Sequence, residues 1–290
     1  MSRPELASVA DNDHATEPAP RPPCLAVLAE DPPASTAALP DPPSEPEPRA
    51  QPVRAEPALP VRHGPLLAVC GCCGGAGAST LAYLVALAAA RERSEPVLVA
   101  DTGGTGGGLA YYAGVAAPHT LAEIAERVAA GLSPGRPYAA ASEGLRVLAT
   151  GPRFAPACVR AGVELVLEDA RDAHSLTVID CGTLTREADQ IVLAKASHIA
   201  WVLPATRSGV RRARRMLDAI NPPRGRELIV TRRDEREPKA ALGDLKRIAE
   251  ERQAPLILVP HLPDLNTGNA TSALETAQVS LQAIHGLLER

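Results

Sequence analysis

The stretch LLAVCGCCGGAGAST at residues 66–80 constrains this chain more than any other feature. An apolar run leads into four glycines within seven residues (71–77), and Ser-Thr then opens a second apolar segment. A strand, a tight loop and a helix start are predicted in that order. Glycine lets the backbone curl so that successive N–H groups converge, which makes a nest for phosphate oxygens. A helix beginning at Ser79 adds the positive end of its dipole. A hydroxyl in that first turn is where phosphate-binding loops hold Mg²⁺. No G-x-G-x-x-G can be written here, so the dinucleotide fingerprint is excluded.

Beyond the loop, short apolar runs alternate with amphipathic segments to the end of the chain. Strands are predicted at 66–70, 96–101, 145–149, 175–180, 198–203, 227–231 and 255–259. Helices are predicted at 79–93, 120–130, 158–170, 187–196, 210–220, 240–251 and 273–288. Uninterrupted apolar strands such as 97–100 suit a parallel sheet covered on both faces. The alternation therefore implies an α/β fold: a doubly wound, mostly parallel sheet with right-handed crossovers. Ligands of such sheets bind beyond the carboxyl ends of the strands. The chemistry is expected just after Cys70, Asp101, Ala149 and Asp180.

Residues 1–60 are of a different kind. They carry 4 Arg and 10 acidic residues, and 16 of the 29 prolines lie within the first 65 positions. Too few apolar residues are present to offset chain entropy by burial, so a disordered, acidic, Pro-rich tail is expected there. One folded domain is expected over 61–290. No secretory or membrane-spanning pattern is seen, which points to the cytoplasm. The six cysteines do not suit a disulfide framework in a chain of 290 residues. With aromatics at 2%, base stacking is not a credible way to hold nucleic acid.

Residues 73–80, CGGAGAST, resemble the deviant Walker A motif K-G-G-x-G-K-[ST]-T of the ParA/MinD superfamily of P-loop NTPases. The Gly-Gly-Ala-Gly-Ala-Ser form is similar to the actinobacterial CpaE-like branch, which includes the septum-site-determining (Ssd) proteins and is related to TadZ of pilus assembly. The likeness extends over about residues 65–270. VLVADTGGTGGGLAYYAG (97–114) resembles the switch segment after the second strand, and LTVIDCG (176–182) resembles the Walker B strand. Residues 197–222 resemble the next strand and helix of the CpaE-like branch, and 254–265 the late segment flanking the nucleotide base.

The resemblance implies ATP or ADP with Mg²⁺ as cofactors. Gly74, Gly75, Ala76, Gly77, Ala78, Ser79 and Thr80 would form the nucleotide cradle. Ser79 and Asp180 would hold the metal, and Asp101 would be the switch carboxylate that positions water. Thr231 would stand where an Asn often reads adenine. Both motif lysines are absent, Cys73 and Ala78 standing in their places, and the chain has only three lysines (195, 239 and 246). One such cation is worth orders of magnitude in phosphoryl transfer. Binding without fast hydrolysis is the leading expectation. A working ATPase in which Arg153, Arg186 or Arg207 replaces the lysine is the second. A pseudo-enzyme acting by protein contacts alone is the third.

What the resemblance implies for the cell is a positioning or regulatory scaffold in septum-site determination or Tad-type pilus/secretion assembly. Its partners would be proteins of those assemblies and a second copy of the chain, with peripheral placement at the inner face of the membrane through them. The basic run from Arg207 to Arg215 offers DNA or anionic lipid a contact, but a solvated helix face is the favoured reading. Leu274, Leu281, Ile284 and Leu288 align on one side of the last helix. It lacks a cationic face, so packing in the core is expected. Cys70, Cys72 and Cys73 admit metal or redox chemistry, with small strand and loop residues the favoured account.

Overall fold

The computed structural model describes residues 63–289, apart from 103–107, 136, 150–159, 221–224, 233–238, 264 and 266–267. The expected tail at 1–60, the glycine-rich run at 103–107 and Arg153 lie outside the described residues.

The strands are β1 (Leu66–Gly71), β2 (Val97–Asp101), β3 (Ala139–Ser142), β4 (Leu145–Leu148), β5 (Leu176–Asp180), β6 (His198–Val202), β7 (Glu227–Arg232) and β8 (Leu256–Val259). They form one sheet in the order β3-β4-β2-β5-β1-β6-β7-β8. Every pairing is parallel except β3 with β4. The helices are α1 (Ala78–Glu92), α2 (Gly108–Ala113), α3 (Leu121–Ala129), α4 (Arg160–Ala173), α5 (Glu187–Lys195), α6 (Arg207–Ile220), α7 (Lys239–Arg252) and α8 (Ala270–Leu288). The expected α/β fold with a doubly wound, mostly parallel sheet is the fold observed.

Two apolar layers sandwich the sheet, and strand alternation decides which layer each side chain joins. Leu67 and Val69 of β1 join α1, α2 and α8 on one face. Leu66, Ala68 and Cys70 join α3, α4, α5, α6 and α7 on the other. With so few aromatics, close approach replaces bulk: a Cβ on Gly162 of α4 would meet the Ala125 carbonyl of α3 at 1.9 Å. The last helix packs as expected, with Leu274, Leu281, Ile284 and Leu288 all buried.

Local sequence sets several boundaries. Thr120 and Glu123 form a capping box: Glu123 N–H donates to Thr120 Oγ1 at 3.1 Å, and Thr120 N–H to Glu123 Oε2 at 2.7 Å. Asn269 caps α8 by accepting from Ser272 N–H at 3.1 Å. The largest buried side chain, Trp201, donates its indole N–H to Glu227, a carboxylate that Arg252 clamps at 3.0–3.1 Å.

Two elements are additional to those expected. The edge strand β3 has only Ala and Ser side chains with alternating exposure, and so lacks an apolar run. It pairs through the two-residue Glu143-Gly144 turn, where Gly144 takes φ +74°. The six-residue α2 follows directly on the glycine-rich stretch that hides its start.

Candidate functional site

β1 lies at the centre of the sheet between β5 and β6, where connections leave in opposite directions. Crevices form at such a point beyond the carboxyl ends of the strands. Register brings two predicted carboxylates to that edge: Asp101 and Asp180 are paired across β2 and β5, and Asp180 is paired with Val69 of β1. Gly71 N–H donates to Gly182 O at 2.7 Å, tying the loop after β1 to the loop after β5.

The glycine loop turns tightly, with Ala76 N–H donating to Cys73 O at 3.3 Å. Gly75 (φ +75°) and Gly77 (φ +100°) occupy the left-handed region, which is strained for any residue with a Cβ. Gly77 leads into α1, which has no side-chain cap and no acidic residue in its first turn. The positive end of this helix is therefore left for an anion. Ala78, at the position of the second motif lysine, is largely buried and brings a methyl group rather than a cation to the cavity wall.

Residues 73–80 line one end of a cavity of about 430 Å³, a volume in the range of small-molecule sites. Its far end is lined by Val230, Arg232, Pro260, His261 and Leu262. The cavity thus runs from the loop along the edge of the sheet to the segment after β8, where the base-flanking stretch was expected. Thr231, which stands where an Asn is expected from the resemblance, does not line this cavity. Strand alternation turns it to the opposite face of β7, where it is buried and its hydroxyl has no hydrogen-bond partner. Arg232 lines the cavity in its place.

Asp180 stands behind Ser79 and is only 5% exposed. It accepts a hydrogen bond from Gly182 N–H at 3.0 Å, and the Ser79 hydroxyl lies beside it. Burial raises its pKa above the ordinary 3.8, with the Ser79 hydroxyl, the Gly182 N–H and Arg186 pulling the other way. A serine oxygen beside a carboxylate is a hard-oxygen pair of the kind that suits Mg²⁺. Asp101 is buried at the end of β2 behind the cavity wall.

Sequence reasoning missed the next ring of residues. Thr80 donates its hydroxyl to Tyr112 of α2 at 3.0 Å, and Tyr112 stacks on Tyr83 with centroids 6.2 Å apart. Beside Asp180, Thr102 donates to the fully buried Asp189 at 2.6 Å and accepts from Arg186 Nη1 at 2.7 Å. Burial raises the Asp189 pKa, opposed by Thr102 and Arg186. Of the three arginines considered as lysine substitutes, Arg186 reaches this edge, whereas Arg207 is exposed at the start of α6.

No protein-family model matches the chain, and no curated protein matches it. Solved structures do. A ParA family ATPase from Chlorobium tepidum superposes with a TM-score of 0.57 at 18% identity, covering 77% of this chain and 92% of that one. The MinC:MinD cell division complex of Aquifex aeolicus gives 0.58 at 16% identity, covering 74% and 95%. This is the ParA/MinD fold. Cobyrinic acid a,c-diamide synthase from Mycobacterium smegmatis, solved with ADP and magnesium, gives 0.54 at 19% identity, covering 76% of this chain and 94% of that one. Partition-type ATPases and a biosynthetic enzyme thus share the fold, so function must be argued from the site.

Among the described residues, no helix is long and apolar enough to cross a membrane. Arg207, Arg211, Arg212 and Arg215 are exposed on α6, while Val210, Ala213 and Leu217 face inward, as a solvated helix face requires.

Proposed function

We propose that this protein is a Mg²⁺-nucleotide-responsive scaffold of ParA/MinD type in which ATP hydrolysis is slow or absent. The observation that carries the reading is the placement of Ser79 beside Asp180 at an uncapped helix end that opens onto a cavity. Backbone N–H groups of residues 74–80 would cradle phosphates, and Ser79 and Asp180 would hold Mg²⁺. The metal supplies charge neutralisation to the phosphates when bound. Asp101, one buried carboxylate across from Asp180, is assigned the placing of water. The adenine would lie against Val230, Arg232 and Pro260.

Slow turnover follows from chemistry. Phosphoryl transfer depends on positioned charge, and Cys73 and Ala78 supply none at the lysine positions. A protein that binds nucleotide without consuming it quickly acts by the shape it presents to partners. That the MinD neighbour is crystallised with MinC supports a partner-directed role. Together with the CpaE-like form of the motif, this favours positioning of a septum or a Tad-type pilus/secretion assembly, with membrane placement through partners. The same fold in a ParA ATPase brings a homodimer into the proposal.

A second reading, a working ATPase, is favoured by one observation: Arg186 already lies at the site edge on Thr102. Turnover abolished by Asp101→Ala and by Arg186→Ala would select it.

The deciding experiment is calorimetric titration of Mg²⁺-ATP and Mg²⁺-ADP into the full chain, with the Ser79→Ala/Asp180→Ala double variant as control. Binding that the control loses supports the reading. No binding to a folded, monodisperse sample sinks both nucleotide readings and leaves a protein that acts by contacts alone.

A further inference from the structure

The glycine loop opens with two adjacent thiols that phosphate binding does not use. Cys72 Sγ lies 4.0 Å from Cys73 Sγ and donates to the Gly209 carbonyl of α6 at 3.9 Å. Both side chains are half-buried, and Cys73 is on the cavity wall. The other two described thiols, Cys70 and Cys181, are fully buried. Of the described thiols, a dissolved oxidant therefore meets the loop pair first. No cluster of three or more His, Cys, Asp or Glu among the described residues gathers to hold a metal ion, which leaves sulfur–sulfur chemistry.

We propose that Cys72 and Cys73 form a reversible thiol–disulfide switch in the glycine loop, closed by peroxide. Cys73 thiolate attacks one peroxide oxygen, the O–O bond breaks, hydroxide leaves and a sulfenic acid forms. The Cys72 sulfur then attacks the Cys73 sulfur, and the sulfenic oxygen leaves as water with the Cys72 proton. Each thiol has lost one hydrogen, and one peroxide has become two waters. The order follows from the surroundings. Burial and the neighbouring Cys73 push the Cys72 thiol up to about 12, so Cys73 is the first nucleophile and Cys72 the resolving one.

The bond must reshape the loop. Adjacent Cα atoms are about 3.8 Å apart across a trans peptide. Disulfides ordinarily span about 4.4–6.8 Å. Joining the sulfurs therefore turns the Cys72–Cys73 peptide. The Cys72 carbonyl and the Cys73 N–H swing with it. The next peptide, whose Cys73 carbonyl accepts from Ala76, must readjust, and the Cys72 tie to Gly209 is lost. The loop N–H groups then no longer converge, and α6 loses a contact with the loop. Strain of this kind makes a disulfide easy to reduce, which gives the switch its return path. The loss of nucleotide rests on the function proposed above; the disulfide itself does not.

The test treats the full chain with hydrogen peroxide, blocks remaining thiols by alkylation and digests with trypsin. Residues 63–91 form one fragment carrying Cys70, Cys72 and Cys73, and Cys181 falls in the fragment 172–186. The expected result is a 63–91 fragment alkylated only at Cys70, lighter than the fully alkylated form by two alkyl groups and short of the two thiol hydrogens, and converted to that form by dithiothreitol followed by alkylation. Cys72→Ser and Cys73→Ser each abolish it, while Cys70→Ala keeps it. A 63–91 fragment joined to 172–186, oxygen added to Cys73 without a disulfide, or thiols that all alkylate normally would each overturn the proposal. In the same samples, Mg²⁺-ATP affinity is expected to fall by about tenfold or more on oxidation and to return on reduction. A disulfide that leaves affinity unchanged overturns the switch. If the reduced protein binds no nucleotide, the function proposed above fails while the fragment mass still decides the disulfide.

Discussion

The Ser79 hydroxyl lies beside the Asp180 carboxylate and lowers its pKa, bringing the first turn of α1 together with the end of β5. Gly182 N–H holds the same carboxylate at 3.0 Å. The carboxylate is thus fixed by donors that do not fully compensate its burial.

This imbalance has a sign. The folded pKa of Asp180 lies above the unfolded value near 3.8, so the folded state holds this proton more tightly. Its contribution to stability is present below the unfolded pKa and is lost as pH rises through the folded pKa. Asp180→Asn removes the titration. Urea unfolding of both proteins across pH is expected to show the variant gaining on the wild type as pH rises from about 4, then levelling off above the folded pKa. The variant is also expected to lose Mg²⁺-dependent nucleotide binding. A stability difference that does not vary with pH would refute the assignment.

Glycines of one loop are expected to differ in cost. Gly77→Ala places a Cβ at φ +100° and should destabilise by about 1–2 kcal/mol. Gly74→Ala meets nothing within 4 Å and is not at positive φ, so unfolding should move by less than about 0.5 kcal/mol. Equal effects in thermal or urea unfolding would refute the left-handed backbone as the source of the cost at Gly77, since neither added Cβ meets an atom within 4 Å.

Glu227 is a buried carboxylate in β7 held by Arg252 and by the Trp201 indole. Arg252→Ala strands that charge and should destabilise by about 3–5 kcal/mol. Glu227→Gln in the Arg252→Ala background should recover part of the loss, since the unpaired charge is then gone. A double-mutant cycle by urea unfolding reads both numbers.

Tyr112→Phe keeps the stack on Tyr83 and removes the acceptor for the Thr80 hydroxyl. Stability should fall by about 0.5–1.5 kcal/mol. If α2 helps to set the loop for nucleotide, Mg²⁺-ATP affinity should fall with it by several-fold, as calorimetry would report.

Seven of the eight strands and the seven longer helices were legible because each buries an apolar run or stripe that the sequence writes out contiguously. β3 was not: Ala139–Ser142 is short and half-exposed, and it is held by backbone pairing to β4. The cradle at residues 74–80 and the strand-end carboxylates were legible for the same reason of contiguity. The Arg186–Thr102–Asp189 cluster was not, because its members meet only after β2 and β5 pair. Thr231 shows how fine the reading must be. In a strand one position changes the face, and the cavity side belongs to Arg232.

Ten of the fifteen residues of α1 are buried, from Ala78 to Ala90, and His285 of α8 reaches the Val85 carbonyl at 3.1 Å. The helix is bolted down on its sheet side and its outer side alike. Its positive end therefore behaves as a stationary electrode, unable to lean toward or away from an arriving anion. Whatever the molecule signals must be carried by pieces hung around that electrode. Among them, α2 is six residues long and fastened to α1 by a hydroxyl pair and a tyrosine stack, a coupling weak enough to be rewritten.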